Sequence, residues 1–303
     1  MSQETLLALS PLVLACGLAF DASAAQRTFV ASNGLDTNPC TIALPCRSFA
    51  YALTLTDSGG EIVALNAAGY GAVVITQSVT ITTNSGFFAG IAASTGSAVQ
   101  IVAPGLNVVL RGLELNGTGA TTGIEMADAG TLTVENCVIS GFTSNGIAVT
   151  APATVRIVDT IVRRNGSEGV GDGILVSGGA TASLNGVSAN YNARAGIAAK
   201  DATGLVTQVN VMASDSSHNS YGFLSHANAM GTANMAIHQS SATGNNIAGV
   251  GVVGGTAQVS ASHITSNVVG LSNDSGTLNS GGNNYIRANG TFSSGTIGAF
   301  MLN

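Results

Sequence analysis

Arg163, Arg164, Glu168 and Asp172, followed by Arg194, Lys200 and Asp201, form the densest concentration of charge in a chain where only 8% of residues are charged. The cations Arg163, Arg164, Arg194 and Lys200 suit the recognition of carboxylates on an anionic glycan, since guanidinium and ammonium groups donate strong charge-assisted hydrogen bonds. A solvated turn is the plainer alternative. A second set, Arg111, Glu135, Arg156, Asn185, Gln208, Asn210 and His238, recurs at intervals close to one repeat and reads as a polar strip able to hydrogen-bond sugar hydroxyls. Its alternative is an ordinary solvated face carrying an Arg111–Glu135 ion pair of small energetic weight.

Neither set matches a standard reaction. Glycoside hydrolysis requires two carboxylates facing each other across the scissile bond. Elimination from a uronic acid requires a base and a cation to neutralise the sugar carboxylate, and Lys200 is the only lysine. His218, His238 and His263 do not fall in register, so no metal is expected, and no motif calls for a cofactor. A net charge of −6 without a basic stripe excludes nucleic-acid binding. Trp is absent and Tyr is sparse, which argues against a large aromatic sugar platform.

The elements that hold these residues are set by a repeat. A glycine followed by an apolar residue recurs as Gly123-Ile124, Gly146-Ile147, Gly173-Ile174, Gly196-Ile197, Gly222-Phe223, Gly249-Val250 and Gly270-Leu271, at intervals between 21 and 27 residues. Asparagines precede most of them: Asn145, Asn165, Asn192, Asn219, Asn245, Asn246 and Asn267. Strand-like alternation fills the intervals, as in Leu132–Ile139 and Val155–Val162.

A unit of this length holds three short strands and three turns, each strand pairing in parallel with its copy one coil away at about 4.8 Å. The fold class predicted is therefore all-β, a single-stranded right-handed parallel β-helix of roughly ten coils with a short N-terminal capping helix. Alternate side chains then stack inward, with Val134, Ile157, Leu184, Val209, Ile237 and Val259 assigned to one column. Corner glycines allow positive φ, and the recurring asparagine forms a hydrogen-bonded ladder that satisfies turn backbone. Charge is scarce because an inward stack has no place for an unpaired ion.

Ser48 to Leu55, with Ser48 as N-cap and Phe49, Ala52 and Leu53 on one face, is the predicted cap helix. Residues 1–25 read as a signal peptide, an apolar run from Leu6 to Phe20 before a small-residue cleavage site after Ala24 or Ala25. The predicted organisation is thus 1–25 signal peptide, 26–56 N-terminal cap and 57–303 β-helix. Cys40 and Cys46 bracket a short loop that in an exported chain suits a disulfide, while Cys137 reads as a buried unpaired thiol. No membrane span is expected after leader removal, because no later apolar run approaches the ~18 residues required.

Phe29–Gly34, Asn38-Pro39-Cys40, Pro45-Cys46-Arg47, Gly60–Val63 and Gly69-Tyr70-Gly71, with the Asn and Gly-Ile rungs, resemble the secreted right-handed parallel β-helix repeat proteins of the pectin-lyase-like superfamily over about residues 27 to 290. The resemblance implies polysaccharide chemistry, yet the chain lacks the Asn-Thr-Asp, Asp-Asp, Gly-His-Gly and Arg-Ile-Lys combinations of the hydrolases it resembles. The expected role is that of a secreted, periplasmic or cell-surface β-helix, non-catalytic, with a structural or carbohydrate-binding task and a polysaccharide or cell-surface glycan as partner. The alternative is a divergent polysaccharide lyase or glycoside hydrolase using Glu135, Arg156 and His238. An ice-binding or adhesive surface, suggested by Thr80, Thr82 and Thr83, ranks last because those threonines do not recur from coil to coil.

Overall fold

A computed structural model describes residues 25–300, apart from 85 and 88. The predicted leader lies outside the described residues, save Ala25. The chain winds as a right-handed parallel solenoid of about nine turns, close to the ten expected, with three faces met in a fixed order. The first face contains Gly130–Glu135, Ala153–Val158, Thr181–Asn185 and Val206–Met212. The second contains Val138–Ser140, Ile161–Arg163 and Ser188–Asn190, and the third Ile147–Val149, Ile174–Val176, Ala195–Asp201 and Tyr221–Ala227. Every rung pairs in parallel with the next, because each coil returns to the same face one strand spacing along the axis.

The apolar columns follow from that register. On the third face Ile124, Ile147, Ile174, Ile197, Phe223, Val250 and Leu271 pair rung to rung, all inside the core, as the Gly-Ile repeat predicts. On the first face Val134, Ile157, Leu184, Val211, Ile237 and Val259 form one column. The sequence reading placed Val209 there; it belongs instead to the neighbouring column with Val155, Ala182 and Met235. Both valines point inward and both are buried, so alternation alone does not choose between them.

The glycines and corners divide the work differently from expectation. The seven glycines before the third face do not adopt positive φ. They are small because space is: a Cβ on Gly173 would lie 2.6 Å from the side chain of Asn192, and one on Gly146 would lie 2.4 Å from Val162. Positive φ is adopted by other glycines, including Gly112 and Gly186 after the first face and Gly141 and Gly244 after the second, while in other coils the same corners hold Asn136, Asp159, Ala213 and Gln239 or Arg164, Tyr191, His218 and Ser266.

Asn165, Asn192, Asn219, Asn245, Asn267 and Asn289 form the ladder. Each side-chain oxygen accepts from the backbone N–H of the asparagine one coil earlier, at 2.7 Å for Asn192 to Asn219 and 2.9 Å for Asn219 to Asn245. Each side-chain amide donates to a backbone carbonyl, as Asn219 does to Ala189 at 2.9 Å. Phe142 holds the equivalent place before Asn165, and its N–H donates to the Asn165 oxygen. Asn145 and Asn246 stand outside the ladder: Asn145 accepts from the backbone of Asp172, and Asn246 is exposed.

At the N-terminal end, Ala25–Val30 already pairs in parallel with Thr56–Ala64, so the cap segment supplies the first rung. The helix Phe49–Thr54 covers it, with Ser48 accepting from the Tyr51 N–H and Phe49, Ala52 and Leu53 buried. Cys40 and Cys46 are joined as a disulfide with their Cα atoms 4.7 Å apart, and Cys137 is free and buried. No helix among the described residues is long and apolar enough to cross a membrane.

Candidate functional site on the third face

Coil length varies, but not evenly. The path from the outer row of the first face to the ladder is eleven residues in successive coils, from Thr131 to Phe142, Thr154 to Asn165, Thr181 to Asn192, Gln208 to Asn219, Asn234 to Asn245 and Thr256 to Asn267. Length differences therefore fall where the chain enters or leaves the third face. Three consecutive coils are long there, through residues 166–172, 200–207 and 226–233, and these insertions carry Asp172, Lys200, Asp201 and His226.

Asp172 is fully buried and receives both cations: Lys200 Nζ donates to it at 3.0 Å, and Arg194 donates through Nε at 2.9 Å and through a second guanidinium nitrogen. The Ala195 N–H adds a fourth donor at 3.2 Å. Burial pushes the Asp172 carboxyl above its ordinary range, partly offset by Arg194, by the Ala195 N–H and by His226. Lys200 pairs in register with His226 on the next rung. Asp201 is buried, with one carboxylate oxygen accepting from the Thr203 N–H and hydroxyl at 2.6 and 2.7 Å and the other without a partner among the described residues.

Beside this cluster runs a groove of about 490 Å³ lined by Leu175, Lys200, Asp201, Thr203, His226 and Asn228, among others. Ala198 and Leu224, which face outward, are nevertheless buried, packed with Leu175, Tyr221 and Val253 into an apolar cluster whose member Leu175 forms part of the groove floor. Asp172 and Asp201 together balance the two cations, so what Lys200 offers a ligand is donors, of which it has three and Asp172 takes one. The arrangement suits a ligand with an apolar ring face and an acidic substituent.

The other sequence candidates lie elsewhere. Arg163 projects from the second face and Arg164 occupies a left-handed corner, so neither joins Arg194 and Lys200. On the first face Glu135 is held by Arg111 at 2.9 Å and Arg156 at 2.7 Å, a three-member exposed ion pair. Val158, Asn185 and Met212 separate Glu135 from His238 along one row, so Glu135, Arg156 and His238 do not converge. Asn210 shares the Arg156 row, Gln208 lies one row over, and His238 contacts Ser260 at 2.9 Å. His218 stacks on Tyr191 at a corner, with centroids 4.7 Å apart, and His263 lies on the second face. The sequence reading did not single out His226; its place four residues after Gly222, matching Lys200 after Gly196, was the available signal.

A family model described as the right handed beta helix region matches residues 107–269. No curated protein matches the chain in sequence. Among solved structures the chain is similar to pectate lyase Pel9A, with a TM-score of 0.68 at 16% identity over 92% of this chain and 78% of that one. It is also similar to XylC in complex with xylose, with a TM-score of 0.62 at 9% identity over 85% and 69% of the two chains. The A-module of the Azotobacter vinelandii mannuronan C-5 epimerase AlgE6 follows at 0.50, with 14% identity over 80% and 85%. At these identities the likeness is one of fold. Stacked parallel rungs, a buried asparagine ladder and a model match over more than half its length place this chain in the right-handed β-helix family.

Proposed function

We propose that the protein is a secreted or cell-surface, non-catalytic polysaccharide-binding β-helix whose third-face groove takes an acidic glycan. The observation that carries this reading is the set of three consecutive insertions that brings Arg194 and Lys200 over a buried carboxylate at the edge of a groove with an apolar floor. A uronate ring laid on Leu175 and Ala202, which line the groove, would set its carboxylate against the exposed flank of Lys200. An oxidising compartment is supported by the Cys40–Cys46 bond.

The test is retention of the purified protein by polygalacturonate or alginate in affinity electrophoresis. Wild type is expected to be retarded, less so at high salt, and Lys200→Ala to lose most of the retardation. Release of new reducing or unsaturated ends from either polymer would replace this reading with an enzymatic one, and absence of retardation on both would remove it.

A further inference from the structure

The first face carries a second surface, independent of the third-face groove. Variation in coil length hides it in the sequence, where threonines fall at irregular intervals. The rung register aligns them: Thr131, Thr154, Thr181, Gln208, Asn234 and Thr256 form one outer row. Thr80 and Thr82 are not members of this row: they pair with Val109 and Arg111 on the next rung and do not recur there. Two residues on, a parallel row passes through Ser183, Asn210 and Gln258. From Thr181 onward neither row contains an acidic or basic side chain.

Within this stretch Gln208, Asn210, Asn234, Thr256 and Gln258 line a depression of about 200 Å³. No group among the described residues hydrogen-bonds the four side-chain amides, each of which offers two donors and an acceptor oxygen. Rungs repeat at about 4.8 Å, so a polymer lying along the solenoid axis meets a new amide at each coil.

We propose that this face binds a neutral, hydroxyl-rich polysaccharide running parallel to the axis. Neutrality of the rows fits a polymer without charge, and amides fit hydroxyls that both donate and accept. The alternative occupant of a threonine row, an ice surface, is disfavoured because the long amides of Gln208 and Gln258 and the depression between them break the plane that a crystal face demands.

The probe is a soluble β-glucan in affinity electrophoresis, with polygalacturonate run in parallel. Wild type is expected to be retarded by the glucan equally at low and high salt. Asn210→Ala and Asn234→Ala should each weaken binding about fivefold, the loss of one net hydrogen bond, while leaving the far-ultraviolet dichroism spectrum and Tm unchanged. Lys200→Ala should leave glucan retention intact. Absence of glucan retardation, or retardation of both amide variants as strong as that of wild type, overturns the proposal. Loss through Lys200→Ala also overturns it by placing the glucan on the third face, and thermal hysteresis without glucan binding would assign the row to ice instead. Failure on polygalacturonate alone would remove the acidic-glycan reading and leave this one standing.

Discussion

Burial pushes the Cys137 thiol up to about 11, because a thiolate at this position has no water to solvate it. The native protein should therefore resist a thiol-specific dye at neutral pH and react only after denaturant is added; reaction in the folded state would contradict the core register around Leu110 and Glu135. Burial shifts Asp172 in the same direction. Its folded carboxyl holds a proton to higher pH than the unfolded value of 3.8. Just above that value the native state binds more protons than the unfolded chain, so this residue makes stability fall as pH rises. Asp172→Asn should flatten that part of the Tm-against-pH curve, measured from about pH 3 to pH 6. At this scale the sequence was legible for residue types and poorly legible for partners. Arg163 and Arg164 look like neighbours of Arg194 by interval, but a corner turns them onto different faces, and only the fold decides which side of a corner a side chain leaves from.

The ladder and the salt bridges are repeated elements with very different energetic weight. Asn219→Ala would strand the Asn192 N–H, take one of the two acceptors from the Asn192 side-chain amide and leave the Ala189 carbonyl only the Ser216 hydroxyl at 3.5 Å, all in the interior. A loss of about 3 kcal/mol or more is expected from the denaturation midpoint, whereas the exposed Asn246→Ala should stay within about 0.5 kcal/mol. Glu135→Gln removes the centre of the Arg111–Glu135–Arg156 pair and should cost under about 1 kcal/mol, since both arginines are about half exposed. The ladder and the Gly-Ile column were readable because each repeats a residue type once per coil, and the cap helix because its N-cap serine and apolar face are local in the sequence. Val209 was misassigned for the converse reason: two inward valines two residues apart satisfy alternation equally, and the interval to Asn219 that separates them becomes meaningful only once the ladder is in place.

A solenoid of this kind has no single centre whose loss abolishes the fold, because each coil packs mainly on its two neighbours. Deleting residues 237–258 joins Ala236 to Val259, the rung partner of Ile237, and should yield a shorter protein with parallel-sheet dichroism and a lower midpoint. Collapse to an unfolded chain would show that the coils are not interchangeable. The unequal distribution of chain length has a practical side as well. Because the eleven-residue path holds the stack in step, the segment between Ala202 and Leu205 is a natural splice point: foreign peptide inserted there would be displayed at the rim of the groove while the ruler running behind it keeps its spacing.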